Sequence, residues 1–189
     1  MMAQPDHDFC EGLVDALPHL RRFAFVLTDS TSDADDLLQA TCERALARSA
    51  QFRKGTRQLS WLFSIMDSIS KNQRRADATR KRVHSDMANV TPLFDGERDT
   101  LGKIHARDVL SLMKTLDRDQ AAALTLVAIE GYSYRDAAEA LGVPQGTLES
   151  RVARGRVALG QAIEQGAPTG PDTDATAERR GNTGRRTAR

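Results

Sequence analysis

Ser133-Tyr134-Arg135-Asp136-Ala137-Ala138-Glu139-Ala140-Leu141-Gly142-Val143-Pro144-Gln145-Gly146-Thr147-Leu148-Glu149-Ser150-Arg151 is the stretch on which the reading of this chain turns. Ser133 precedes a short helix over residues 134–141, and Gly142 closes it in the left-handed conformation glycine favours. Pro144 starts the next helix, where its missing N–H costs little. Two short helices joined by Gly142-Val143-Pro144 have helix-turn-helix spacing. Leu148, Val152, Gly155, Leu159 and Ile163 follow at intervals of three or four, which makes one buried stripe. Thr147, Ser150, Arg151 and Arg154 point the other way. Arg can grip guanine O6/N7 or a phosphate, and Ser or Thr can contact either kind of group. A plain helical hairpin with a solvated basic face has the same spacing.

Outward from this motif the chain reads as helical. Ala and Leu dominate the apolar positions and strand signals are scarce. Leu13, Leu17, Leu20, Ala24 and Leu27 repeat at helical spacing, with Pro18 expected to kink the segment or split it in two. Ser32 reads as the N-cap of a second helix with Asp35 at the capping-box position, and Asp33, Asp35 and Asp36 suit its positive end. Leu38, Cys42 and Ala45 are its expected buried stripe. Ser60 reads as the cap of a third helix, residues 61–82, with Leu62, Ile65 and Ile69 inward. Its second half is basic, with Lys71, Arg74, Arg75, Arg80, Lys81 and Arg82. Residues 104–165 form a second helical block. Val109, Leu112, Met113 and Leu116 mark one helix there, and residues 121–129 a second, mostly buried one.

Composition sets the outer bounds. The chain has 189 residues and a mass of 20.8 kDa, which is one large domain or two small ones. Only 5% of residues are aromatic, which argues against a β-sandwich. No run approaches the length of a membrane span, and the N-terminus lacks the basic-then-apolar order of a secretory signal. Cys10 and Cys42 form no metal-binding spacing, and the four histidines lie in separate segments. A cytoplasmic protein with no enzymatic activity, no metal and no cofactor is expected. The net charge of +1 hides alternating blocks: residues 1–50 hold 4 Lys/Arg against 9 Asp/Glu, and residues 51–90 hold 9 against 3. One face for a polyanion and another for a different partner fits that pattern, as do ordinary solvated faces.

At residues 130–151 the sequence resembles region 4 of the extracytoplasmic-function (ECF) sigma factors, in the sigma-70 family. Glu130-Gly131-Tyr132-Ser133-Tyr134 matches an E-G-x-S-Y start, Ala138-Glu139-Ala140-Leu141-Gly142-Val143 the A-E-x-L-G-[VI] turn, and Gly146-Thr147-Leu148-Glu149-Ser150-Arg151 the G-T-[VL]-x-S-R recognition helix. Arg151, Arg154 and Arg156 match its continuation. Asp33-Ala34-Asp35-Asp36-Leu37-Leu38-Gln39-Ala40-Thr41 resembles the D-A-x-D-L-[VL]-Q-x-T signature of region 2, and Trp61-Leu62-Phe63-Ser64-Ile65 the opening of its promoter-melting helix. The motifs stand in the family's order and cover residues 10–165.

The resemblance implies an all-α chain of two small helical domains joined by a flexible linker. Region 2 is expected at 8–82, the linker at 83–103, region 4 at 104–165 and a disordered basic tail at 166–189. It implies a protein that binds core RNA polymerase, at the clamp helices of the largest subunit and at the flap, and directs initiation from chosen promoters. A stress or envelope response and an anti-sigma partner belong to the same expectation, with no membrane insertion and no small-molecule substrate. By resemblance, Asp36, Gln39 and Glu43 face the polymerase. Phe52, the loop Arg53–Leu59, Ser68, Lys71, Asn72 and Arg75 meet the −10 element, where an unpaired base needs stacking surface, donors and cations. Trp61 reads rather as a core anchor. Thr147, Glu149, Ser150, Arg151 and Arg154 read the −35 element, with Arg156 on phosphate. Glu149 stands where relatives carry Lys or Arg; it either stabilises the helix start or accepts from a cytosine N4 amine. Two other readings fit less of the chain: a sigma-like decoy that binds an anti-sigma factor without DNA, and a conventional helix-turn-helix regulator.

Overall fold

The computed structural model describes residues 6–53, 55–81 and 109–164; the linker and tail expected at 83–103 and 166–189 lie outside them. α1 (His7–Leu27) buries Leu13, Ala16, Leu20, Phe23, Ala24 and Leu27, one stripe at helical spacing. It runs on through Pro18, so the chain does not split into two helices there. Pro18 lies on the exposed side, and the stripe is buried both before and after it. That packing outweighs one lost hydrogen bond.

α2 (Thr31–Ala47) is capped by Ser30, two residues before the expected Ser32. Ser30 Oγ accepts from the Asp33 N–H at 3.0 Å and donates to Asp33 Oδ2 at 2.7 Å. Ser30-x-x-Asp33 and Ser32-x-x-Asp35 have the same spacing, so the sequence offers two registers. The buried stripe is Ala34, Leu37, Thr41 and Ala45, with the expected Leu38 and Cys42 half-buried beside it. Thr41 can be buried because its hydroxyl donates to Leu37 O at 2.7 Å.

A 3-10 turn (Ser49–Gln51) and a loop around Gly55 lead to α3 (Gln58–Lys81). Ser60, expected to cap this helix, sits inside it and donates to the Tyr132 hydroxyl at 3.1 Å. Leu62, Phe63, Ile65, Met66 and Ile69 are buried against α1 and α2. Phe23 and Phe63 meet edge to face with centroids 4.9 Å apart.

In the second block α4 (helical over 109–113) leads into Met113 and Leu116, both buried, while Val109 is exposed. Asp117 caps α5 (Arg118–Leu124), which widens into a π-helical turn over Thr125–Ile129. Ser133 caps α6 (Tyr134–Ala140) through the Asp136 N–H, and Gly142 has a φ of +61°. Both match the sequence reading. α7 (Gln145–Glu164) begins one residue after Pro144, whose carbonyl accepts from the Thr147 and Leu148 N–H groups. At Gly155 α7 closes on the preceding segment; a Cβ there would lie 3.3 Å from Leu116 Cδ2 and 3.5 Å from Gln120 Cβ. Leu148 and Val152 are buried and Leu159 half-buried. Ile163, expected on the same stripe, is 59% exposed, so the stripe has lost its cover by the last turn of α7.

The two bundles touch. α1 packs on α5 and α3 on α6, and the Phe63 and Tyr132 rings meet at 5.8 Å. Buried apolar residues of both blocks form one cluster. The described residues hold helices and no strands, as expected. Phe23 sits at 0% exposure in this cluster, so Phe23→Ala should cost about 3–5 kcal/mol of unfolding free energy in a urea titration. Val14, on the opposite side of α1 at 62% exposure, should change it by no more than about 0.5 kcal/mol when replaced by Ala.

Candidate functional site

Three surfaces carry the candidate residues. On α2, Asp36, Gln39 and Glu43 are all exposed and fall three and four positions apart, on one face. Gln39 Nε2 donates to Glu43 Oε1 at 3.0 Å. Asp36 also lines an open cleft of about 340 Å³ with Asp29, Asp33 and Asp77. Arg74 and Arg118 line the same cleft, so its carboxylates stand among cations.

On α3, Ser68, Asn72 and Arg75 are exposed at helical spacing. Lys71 beside them is partly buried, and its Nζ lies 2.5 Å from Asp67 Oδ2. Burial pushes the Asp67 carboxyl up, against the pull of Lys71. Phe52 is half-buried in an aromatic group, 5.8 Å from Phe9 and 5.5 Å from Trp61, and Trp61 also meets Phe9 at 6.0 Å. Trp61 is therefore a packing residue, as the sequence suggested. Phe52 shares that role and also borders a cleft of about 520 Å³ with Arg53, Arg57 and Ser64.

On α7, Glu149, Ser150, Arg154 and Arg156 are exposed and Thr147 half-buried. Ser150 Oγ donates to Thr147 O at 2.9 Å. Arg154 donates to Ser150 Oγ and Ser150 O at 3.1 and 3.2 Å. Ser150 and Arg154 therefore hold each other in place on the outer face. Gln145 Nε2 donates to Glu149 Oε1 at 2.8 Å, a partner on the preceding turn that the sequence reading overlooked.

Arg151 departs from the outward placement. Its side chain is 19% exposed and its Nη2 lies 2.6 Å from Asp119 Oδ2, while Arg74 Nη2 reaches Asp119 Oδ1 at 3.1 Å. Burial alone would raise the Asp119 carboxyl. The Arg74 hydrogen bond and the charges of Arg151 and Arg74 outweigh it and hold the group below the usual carboxylate range. Further contacts join the bundles, among them Arg118 with Asp29 at 2.5 Å. Glu130, with its side chain 1% exposed, pairs with Arg22 at 2.9 Å and with His19. Arg57 pairs with Asp136 at 3.2 Å and lies over the Tyr132 ring. Sequence reasoning missed Asp119, Glu130 and Asp136, because each looks locally like an acid at a helix end, and its partners lie tens of residues away.

The same division appears in comparisons with known proteins. A family model described as the Sigma2 domain of PhyR matches residues 13–67, and one for sigma-70 region 4 matches residues 106–159. The ECF RNA polymerase sigma factor EcfG of Rhodopseudomonas palustris is 31% identical over 174 residues, 91% of this chain and 95% of the relative. The ECF sigma factor SigC of Mycobacterium tuberculosis is 37% identical over 138 residues, 73% of this chain and 74% of that one. Among solved structures, the sigma factor RpoE of Bartonella quintana, in complex with the anti-sigma factor NepR, superposes with a TM-score of 0.73 at 30% identity, covering 84% of this chain and 98% of RpoE. With motifs, helix order and near full-length relatives in agreement, the chain belongs to the ECF sigma factors of RNA polymerase.

Proposed function

We propose that this protein is an alternative sigma factor that binds core RNA polymerase, directs initiation at its own promoters in a stress or envelope response, and is held in check by an anti-sigma factor. The observation that carries this reading is the presence, in one chain, of an exposed polar stripe on α2, a cationic helix α3 and a helix-turn-helix with Ser150 and Arg154 outward. No described helix is long and apolar enough to cross a membrane, and the protein works with the polymerase in the cytoplasm. It makes no covalent chemistry: its work is binding, and strand opening driven by binding energy.

Asp36, Gln39 and Glu43 dock on the polymerase clamp helices. Ser68, Lys71, Asn72 and Arg75, with the loop from Phe52, hold the unpaired −10 strand by donors and charge. Thr147, Ser150 and Arg154 read −35 base edges and Arg156 holds phosphate, while Arg151, paired with Asp119, props the recognition helix from within its block. Glu149, already paired with Gln145, stabilises the start of α7. A decoy that binds an anti-sigma factor without DNA is the second reading, favoured by the PhyR description of the region 2 match. The retained cations of α3 and α7 speak against it.

Transcription in vitro with purified core polymerase on a promoter library separates the two readings. Specific transcripts are expected; none from any template would support the decoy. Gln39→Ala with Glu43→Arg should weaken co-purification with core polymerase while leaving helicity intact, and unchanged recovery would remove this stripe from the docking surface. Asn72→Ala with Arg75→Ala, both exposed, should abolish permanganate-reactive thymines near the start site while leaving closed complexes. Arg154→Ala should cost about 1–3 kcal/mol and relax preference at one −35 position. A uniform loss with a salt slope lower by about one unit would place Arg154 on phosphate instead.

A further inference from the structure

Phe9, in the first turn of α1, is fastened to both ends of the loop that joins Phe52 to Gln58. At the near end the Phe52 ring lies 5.8 Å from the Phe9 ring, and Trp61 completes the group at 6.0 Å from Phe9 and 5.5 Å from Phe52. At the far end Gln58, the first residue of α3, donates from Nε2 to the Phe9 carbonyl at 2.9 Å. Phe9 itself is buried in the core cluster, so both fastenings end on a fixed point. Between them Arg53, Thr56 and Arg57 are exposed. Local bonds shape the turn: the Thr56 N–H and hydroxyl both donate to Arg53 O, at 3.2 and 2.8 Å, and Gly55 has a φ of +93°. Gly12 makes room for the far fastening. It lies three residues on from Phe9 along α1, and a Cβ there would collide with Gln58 Oε1. Arg57 also reaches Asp136 of the second block, but both Phe9 contacts lie within region 2 and do not depend on that pair.

We infer that Phe9, Gln58 and Gly12 are positioning residues for the −10 contacts: they hold the ends of the loop at a fixed span, so that Arg53, Thr56 and Arg57 meet the unpaired strand already in place. A loop ordered beforehand binds more tightly, because the entropy cost of ordering then falls on folding and not on binding. The three residues act through the loop and touch no DNA themselves. The inference rests on the −10 assignment of this loop proposed above; the anchoring rests on the geometry alone.

Gly12→Ala is the sharpest test. Alanine is the better helix former inside α1, so the thermal midpoint of the full chain should stay the same or rise. The added methyl displaces the Gln58 amide, which is the end of a flexible side chain. Gln58→Glu keeps the shape, loses the donor and suits the positive end of α3; it serves if Gly12→Ala lowers the midpoint. In both variants trypsin cleavage of the full chain after Arg53 and Arg57 should quicken by about fivefold, the scale of one net hydrogen bond. Holoenzyme with either variant, on a promoter found in the library, should show permanganate-reactive thymines reduced by about the same fivefold factor. Recovery on core polymerase and closed complexes should not change. The double variant should be no worse than either single one, since both remove the same bond. Wild-type cleavage in both variants would overturn the anchor. Faster cleavage with wild-type strand opening would overturn the positioning role and leave Phe9 as packing alone. The cleavage assay needs no polymerase, and absence of transcripts with the wild-type chain would overturn the sigma-factor reading instead, so the two failures are distinguishable.

Discussion

A carboxylate withdrawn from water must be paired, and Glu130 meets that requirement only across the boundary between the two helical blocks. Its side chain is almost fully buried, and both of its partners, His19 and Arg22, lie on α1. While the blocks are together Glu130 must keep those partners, and when they separate water replaces them at little cost. The rest of the boundary follows the same rule. Tyr132 lies edge-on to Phe63, its hydroxyl accepts from Ser60, and burial pushes its phenol up. Apolar contact draws the blocks together, and the paired charges fix the register in which they meet.

Arg57 and Arg74 each have a carboxylate across the boundary, and Arg151 has one within its own block. Ser150 and Arg154 differ, since they bond to each other and to their own helix and need nothing from region 2. Arg151 on the same helix is instead turned inward to Asp119 of α5, within its own block. The exposed polar stripe on α2 stands apart from the boundary in its outer part, where Gln39 and Glu43 pair within the helix.

How much of this could be read from sequence depended on the range of each interaction. Ser133, Gly142 and the Leu148–Val152 stripe act within a few residues, so the helices and turn of the helix-turn-helix were legible. Local signals failed where two registers were equally good, as at Ser30 and Ser32, or where packing overrode a local penalty, as at Pro18. The π-helical turn after α5 had no signal of its own. The boundary was illegible for a different reason. Glu130 and His19 are 111 positions apart, and Arg74 and Asp119 are 45 apart, so nothing near either residue announces the other. The candidate DNA residues are read as residue types at outward helix positions, while the inward turn of Arg151 depends on where another helix happens to sit.

Because both halves of the boundary belong to one chain, joined through residues 82–108, their encounter is unimolecular. Dilution does not separate them, and making more of the protein does not press them together. A tethered contact competes at a local concentration set by the tether alone, commonly in the millimolar range for short flexible connections. Any external ligand for the covered faces must overcome that fixed concentration by its own abundance or by its affinity. The amount of available partner therefore sets the response, while the copy number of this chain sets only its ceiling.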